Sequence, residues 1–293
     1  MRIPWFRTER FTLHIEPDTL RGMVAVGKTP QRWESVTLPD GTLQNDKVVR
    51  PKDFINALDR LREQLEVQSS EVHVSLRHRR AILRLLNLPD VPDKMLGEAV
   101  RREARREFPL SPDELYLSWR KIDTSSMGQG GVFAVGIPRS AVDICVNVLK
   151  KAGLKPLSLD LKSLALARAV HQQDVMVLDM EPSADQLILL HDFVPCIVRS
   201  LNRPAQASLS EEATQLMSEI QRVINYCKNN MRTASSDIEP RLCLVGSSSK
   251  IDQLAPILEK RLEIVDPRPP VTVPEDFPLS VYLANLGVML KEV

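Results

Sequence analysis

The sequence predicts a mixed α/β fold built around two copies of one unit. A three-strand meander followed by strand and helix elements occurs near Phe11–Leu76 and again near Val175–Gly246. The later two-thirds of the chain alternates short apolar runs with amphipathic stretches, the pattern of strands covered by helices. At 293 residues there is room for two domains, or for one large α/β unit with an insertion. Two related halves of this kind point to a duplicated ribonuclease-H-like unit.

Phe11 to Val26 reads as a β-hairpin. Leu13 and Ile15 alternate with polar residues, Pro17-Asp18 makes the turn, and Val24 and Val26 share one face of the return strand. TPQRWESVTLP supplies a third strand, and DGTLQNDKVV is a polar excursion. Pro51-Lys52-Asp53 opens a helix whose Phe54, Leu58, Leu61 and Leu65 recur at three- and four-residue steps, so one face is buried. EVHVSL alternates as a strand.

Ile82 to Leu86 is strand-like, and Pro89 and Pro92 break it. Asp93 is placed to cap a helix beginning at Lys94. Leu96, Ala99, Val100, Ala104 and Phe108 form its apolar stripe, and Pro109 and Pro112 end it. Leu115 to Trp119 is a strand, SSMGQGG a turn, and VFAVGIP the returning strand. Ser140 to Ala152 is a helix that Gly153 ends.

KPLSLDL, VMVLDM, DQLILLHD, VPCIVRSL and RLCLVG read as strands. KSLALARAVHQ, Ser210 to Asn229, Ile251 to Leu262 and VYLANLGVML read as helices. The long helix turns Leu216, Ile220, Val223 and Tyr226-Cys227 toward the core. DPRPPVTVP is an extended loop.

Composition narrows the function. The 43% apolar and 26% charged content is that of an ordinary globular protein. A net charge of +1 excludes bulk attraction to polyanions, and 4% aromatics leave few platforms for stacking bases. Eleven glycines are few for phosphate-cradling loops. Cys145, Cys196, Cys227 and Cys243 show no CxxC and sit among apolar residues, as reduced core cysteines do. His14, His73, His78, His171 and His191 are scattered without metal-ligand spacing. No apolar run reaches the ~20 residues of a membrane span. MRIPWFR lacks the apolar centre of a signal peptide; its Ile3, Trp5 and Phe6 fit a tail packed on its own domain or a membrane-surface foot.

The run LPDVPDKMLGEAVRREARREFPLSPDELYLSW resembles the signature of PilM-type pilus assembly proteins, the actin-like, FtsA-like group. Leu88-Pro89, Glu98-Ala99, Glu103, Pro109, Glu114 and Trp119 occupy the family's positions. VFAVGIPRSAVDICVNVLKKAGLKPLSLDLKSLALARA is similar to the family's next block, with Ala152-Gly153-Leu154, Pro156, Asp160, Ser163 and Leu164 to Ala169 matching. CLVGSSSKIDQLAPILEKRL, with Gly246, resembles the adenosine-side strand, and ANLGVML the closing helix.

The resemblance implies an actin-like, duplicated ribonuclease-H-like core with a small inserted β-α-β subdomain. Residues 1–81 and 138–170 would form the first half, 82–137 the insert and 171–293 the second half. It further implies a cytoplasmic protein, peripheral at the inner membrane. There it would bind the cytoplasmic tail of a PilN-type membrane protein, in a groove beside the insert, and it could form homo-oligomers. Family members commonly bind ATP with magnesium.

This chain departs from the ATP pattern. The family's first phosphate hairpin reads Asp-Ile-Gly-Ser-Ser-x-x-Lys. Here His14 replaces the metal-organising acid and Glu16 the glycine. The second reads Asp-Ile-Gly-x-x-x-Thr; here Asp179 remains and Glu181 takes the glycine's place. Pro17 and Pro182 remove backbone donors. A carboxylate ~4 Å from a phosphate, at an effective dielectric of about 20, is repelled by roughly 4 kcal/mol, about three decades of affinity. Leu201 to Leu209 is also too short for the family's second helical subdomain.

The chain therefore reads as a degenerate member, a pseudo-ATPase scaffold with no catalytic residues, no metal and no cofactor. His14, Glu16, Asp179, Glu181 and Gly246 are its vestigial nucleotide positions. The alternatives are an ATP-binding actin-like switch and a module like the cytoplasmic part of type II secretion protein L. Arg77, Arg79, Arg80, Arg84, Arg101, Arg102, Arg105 and Arg106 concentrate charge in and beside the insert. They fit a solvated face, an acidic or membrane-surface partner or, less well without interleaved aromatics, nucleic acid. Arg80, Arg84, Leu86, Arg101, Arg102 and Arg105 are the candidate partner-binding residues.

Overall fold

A computed structural model of the chain describes residues 9–89, 91–122, 131–183, 185–202, 207–230 and 241–291, and for 227–230 the backbone alone. The N-terminal MRIPWFR, most of the SSMGQGG turn and the Cys227 side chain lie outside the described residues.

The chain opens with the expected meander: β1 (Glu9–Ile15), β2 (Thr19–Val26) and β3 (Thr29–Thr37). Gly27, with φ +65°, makes the second turn. The polar excursion forms a small hairpin of β4 (Leu43–Gln44) and β5 (Lys47–Val48). It turns through Asn45 and Asp46, both left-handed, a conformation short polar side chains tolerate. Helix α1 (Pro51–Gln64) starts with proline, which suits a first turn, and buries Phe54, Ala57, Leu58 and Leu61. Strand β6 (Glu71–Leu76) follows.

The insert comprises β7 (Ile82–Asn87), α2 (Asp93–Glu107), a 3-10 turn (Pro112–Glu114), β8 (Leu115–Lys121) and β9 (Gly131–Pro138). Its sheet runs β7-β9-β8, antiparallel throughout. Val100, Ala104 and Phe108 pack with Ile82, Leu86, Leu115 and Ala134 to form its core, with Leu96 and Ala99 at the margin. Asp93 does not cap α2. Pro92 holds that position, and Asp93 lies in the first turn, ion-paired with Lys121. The proline's fixed φ already sets the entry, and the carboxylate still favours the positive end of the helix.

The remaining elements are α3 (Arg139–Lys151), β10 (Lys155–Leu161), α4 (Lys162–Val170), β11 (Val175–Met180), β12 (Asp185–His191), β13 (Val194–Leu201), α5 (Leu209–Asn230), β14 (Arg241–Gly246), α6 (Ile251–Leu258), β15 (Glu263–Ile264) and α7 (Leu279–Met289). Two expectations need correction. Helix α6 stops at Leu258, and the chain turns at Arg261 and Leu262 into β15, whose pairing with β14 wins over further helix. Tyr226 is 56% exposed, on the solvent side of α5, although Val223 just before it is buried.

The two five-stranded sheets share one topology. The first runs β10-β6-β1-β2-β3 and the second β13-β12-β11-β14-β15. In each, an antiparallel meander begins on the strand that also accepts a parallel neighbour, and a fifth strand pairs parallel beyond it. The repeated order is the duplication that the sequence showed.

The chain divides into two compact units: Met1–Arg79 with Asp143–His171 and Pro267–Val293, and Arg80–Val142 with Gln172–Asp266. These bounds differ from the expected halves. Residues 267–293, expected in the second half, belong to the first unit. Helix α7 is apolar all round, with Tyr282 through Met289 buried, so it needs walls on every side. In the first unit α4, β1, β2 and β6 supply them. Residues 80–142 fall with the second unit, where β7 lies against β13.

Candidate functional site

In the first unit, β1, β6 and β10 run parallel, with Ile15, Leu76 and Leu161 in register at their carboxyl ends. The next residue in each case is charged: Glu16, Arg77 and Lys162. The carboxyl ends of parallel strands are where open α/β sheets bind ligands. Here the side chains bind one another. Lys162 Nζ donates to Glu16 Oε1 at 2.5 Å, and His14 Nε2 lies 2.9 Å from the same oxygen. Glu16 and His14 are fully buried and Lys162 is 3% exposed. Arg21, opposite His14 in the hairpin, is buried as well.

Burial opposes ionisation of Glu16, but the Lys162 charge, aided by His14, outweighs it and holds the carboxyl well below the usual carboxylate range. Burial lowers the His14 pKa despite the hydrogen bond to Glu16, so its ring is neutral near pH 7. A neutral ring must carry its proton on Nε2 to donate to Glu16. The hairpin turn is closed by its own backbone, Glu16 N donating to Thr19 O at 2.9 Å.

Both shifts make the unit acid-labile. A histidine or carboxyl whose folded pKa is depressed contributes stability above its unfolded value and loses it as pH falls. The loss begins below about 6.5 for His14 and below about 4.5 for Glu16, at up to about 1.4 kcal/mol per pH unit for each group. Urea unfolding at a series of pH values measures it. His14→Gln should flatten the slope between pH 6.5 and 5; an unchanged slope would exclude His14 as its source.

In the second unit, Asp179 is fully buried at the end of β11, and Glu181 follows it. Ser247 Oγ donates to Glu181 Oε2 at 2.6 Å. The amides of Ser247 and Ser248 both donate to Met180 O at 3.0 Å. Gly246 has φ +110°, and a Cβ there would fall onto the Met180 carbonyl, 2.7 Å from its carbon. Only glycine allows β14 that approach.

The candidate partner residues divide. Arg101, Arg102 and Arg105 are exposed on α2, and Arg80 and Arg84 are exposed as well. Leu86 is corrected: at 2% exposure it is part of the insert's core and has no surface to offer a partner. Arg102 pairs with Glu98 at 4.0 Å and Arg106 with Glu103 at 3.5 Å. Exposed pairs of this kind contribute little, so most of this face is solvated charge. Arg77 is buried beside the hairpin.

Two histidines have acidic partners that spacing did not reveal: His14 with Glu16, and His191 with Asp174 at 2.6 Å. Cys145 and Cys243 are buried, and burial pushes both thiols up to about 12. Sequence reasoning missed Lys162 and Asn285. The first had a signal, an ionisable residue directly after an apolar strand, repeated at Glu16 and Arg77. Asn285 had none. Its Nδ2 donates to Arg21 O at 3.0 Å and Thr12 O at 3.2 Å, from a helix 264 and 273 residues away. Among the described residues no helix is long and apolar enough to cross a membrane.

Known proteins agree with this architecture. The chain is similar to the structure titled "PilM-PilN type IV pilus biogenesis complex", with 24% identity, 97% of this chain and 98% of the other covered, and a TM-score of 0.75. It is similar to the cytoplasmic domain of EpsL, an inner-membrane component of the Vibrio cholerae type II secretion system: 12% identity, 98% and 97% covered, TM-score 0.59. A Bacteroides thetaiotaomicron protein of actin-like ATPase fold aligns over all of both chains at 10% identity and a TM-score of 0.51. The fold is thus actin-like. The curated proteins hold no significant sequence match. The family described as "Type IV pilus assembly protein PilM" matches residues 28–193, more than half of the chain. The protein therefore belongs to the type IV pilus assembly protein PilM family.

Proposed function

We propose that the protein is a non-catalytic scaffold of a type IV pilus or related secretion assembly. It works on the cytoplasmic face of the inner membrane and holds the cytoplasmic tail of a PilN-type membrane protein on its insert. The observation that carries this reading is the buried Lys162–Glu16 pair. A phosphate hairpin needs free backbone donors and no competing anion. At this hairpin the carboxylate already takes the lysine, Pro17 has no N–H, and the Glu16 amide is spent on Thr19. This hairpin is ill suited to the phosphates of ATP. The insert, by contrast, has an intact core and presents Arg101, Arg102 and Arg105 outward.

Calorimetric titration tests both halves. A synthetic peptide of the PilN-type tail should bind the folded chain at tens of micromolar or tighter, and Mg-ATP should give no heat at ~100 μM, about −5.5 kcal/mol of binding. Saturable Mg-ATP binding below that concentration would favour the rival, an ATP-binding switch. A folded chain that ignores the peptide would overturn the scaffold.

A further inference from the structure

Among the described residues no strand lies beside the outer edge of β8, which pairs only with β9, on one side. That pairing is unbroken from Leu115–Pro138 to Lys121–Val132, with no bulge and no proline in β8. Ile122 N donates to Gly131 O at 3.1 Å, which fixes the phase of the ladder. The even-numbered residues of β8 bond to β9. Of the odd-numbered ones, Leu117 and Trp119 turn their N–H and C=O groups to the outer edge, whereas the Leu115 N–H is taken by Pro112 O. Natural sheets blunt such edges with lysine, proline or a bulge. Leu117, Ser118 and Trp119, at the centre of β8, carry none of these.

We propose that β8 pairs antiparallel with β8 of a second copy of this chain, about a twofold axis at Ser118. The charges around the strand are self-complementary in that orientation. Asp113 and Glu114 precede it, and Arg120 and Lys121 close it. Centring the pair on Ser118 sets odd residues against odd, so Leu117 exchanges hydrogen bonds with the partner subunit's Trp119, and Trp119 with the partner subunit's Leu117. On the outward face Tyr116 stands opposite the partner subunit's Arg120, and Glu114, just before the strand, lies diagonal to that same arginine, within reach of long side chains. Tyr116 is 43% exposed and held by the Arg139 guanidinium 4.4 Å from its ring centroid. A parallel pairing would set like charges together and would not close on itself.

Ser118 would meet its twin as a non-hydrogen-bonded pair, with Cα atoms about 4.5 Å apart, inside the range a disulfide spans. The test uses the full chain. Ser118→Cys, oxidised with glutathione disulfide, should form a covalent dimer well above the level of the wild type and of Glu107→Cys, an exposed control on α2. By sedimentation, the wild type should dimerise reversibly. Arg120→Glu should weaken the dimer roughly tenfold, both symmetric contacts being lost at once. Glu114→Arg combined with Arg120→Glu should restore it. Thermal melts establish that each variant is folded. A wild type that stays monomeric at about 100 μM would overturn the proposal. So would Ser118→Cys cross-linking no better than Glu107→Cys, or a dimer indifferent to Arg120→Glu. Protection of Ser118→Cys by a PilN-type peptide without any dimer would give the edge to that partner instead.

Discussion

Gly287→Ala is expected to destabilise the protein by about 2–4 kcal/mol, read as a lower urea midpoint and melting temperature. Helix propensity predicts the opposite sign, since alanine is better than glycine in a helix interior by about 1 kcal/mol. Packing decides it. A Cβ on Gly287 would fall onto the Ala165 carbonyl oxygen, 2.5 Å from its carbon and 2.9 Å from its Cα. Those are backbone atoms of α4 and cannot rotate away, so the two helices must separate. Overpacking of this kind costs about 1–3 kcal/mol, more when backbone must move. Separation would also stretch the bond from Arg168 Nε to Gly287 O, now 2.9 Å, and the Asn285 bonds to β1 and β2. A neutral or stabilised variant would mean that α4 and α7 do not cross this closely.

Lys162→Met is expected to cost about 3–5 kcal/mol at pH 7, because it leaves Glu16 buried without its main counter-charge. Methionine keeps the volume and the unbranched stem, so lost packing contributes little. The pH dependence should reverse. In the wild type the folded state holds fewer protons than the unfolded chain at these groups, and stability rises with pH. Without the lysine, burial, the largest influence on Glu16, is opposed mainly by the His14 hydrogen bond, and the folded pKa should rise above the unfolded value of 4.5. The folded variant then binds more protons, and its stability falls as pH rises. Glu16→Gln combined with Lys162→Met should recover most of the loss, since replacing both members of a buried pair is often neutral. A single variant as stable as the wild type, with the same pH slope, would show that the pair carries no weight.

The strands and helices were largely legible in the sequence because their signals are local. Alternation at Leu13 and Ile15, the three- and four-residue steps of α1, and the prolines around α2 act within one element. The duplication was legible because a meander followed by a strand recurs as a pattern of runs. Where local reading failed, a distant partner had overruled it. Asp93 has a cap's chemistry, but the chain's path takes it to Lys121. Leu86 sits in a run flanked by arginines, yet its side of β7 faces α2.

The sequence by itself determined the elements and the repeat, and its resemblance to a family supplied the expectations of an insert and of altered phosphate hairpins at Glu16 and Glu181. Only the tertiary structure decided what surrounds Glu16. Sequence reasoning made Glu16 a repelling carboxylate; the fold brings Lys162, 146 residues away, to 2.5 Å from it and turns repulsion into an internal ion pair. Tertiary structure likewise assigned α7 to the first unit. A helix apolar on every side carries no preferred face, so its sequence cannot name its neighbours. That choice falls to Gly287 meeting Ala165 and to Asn285 meeting Thr12 and Arg21.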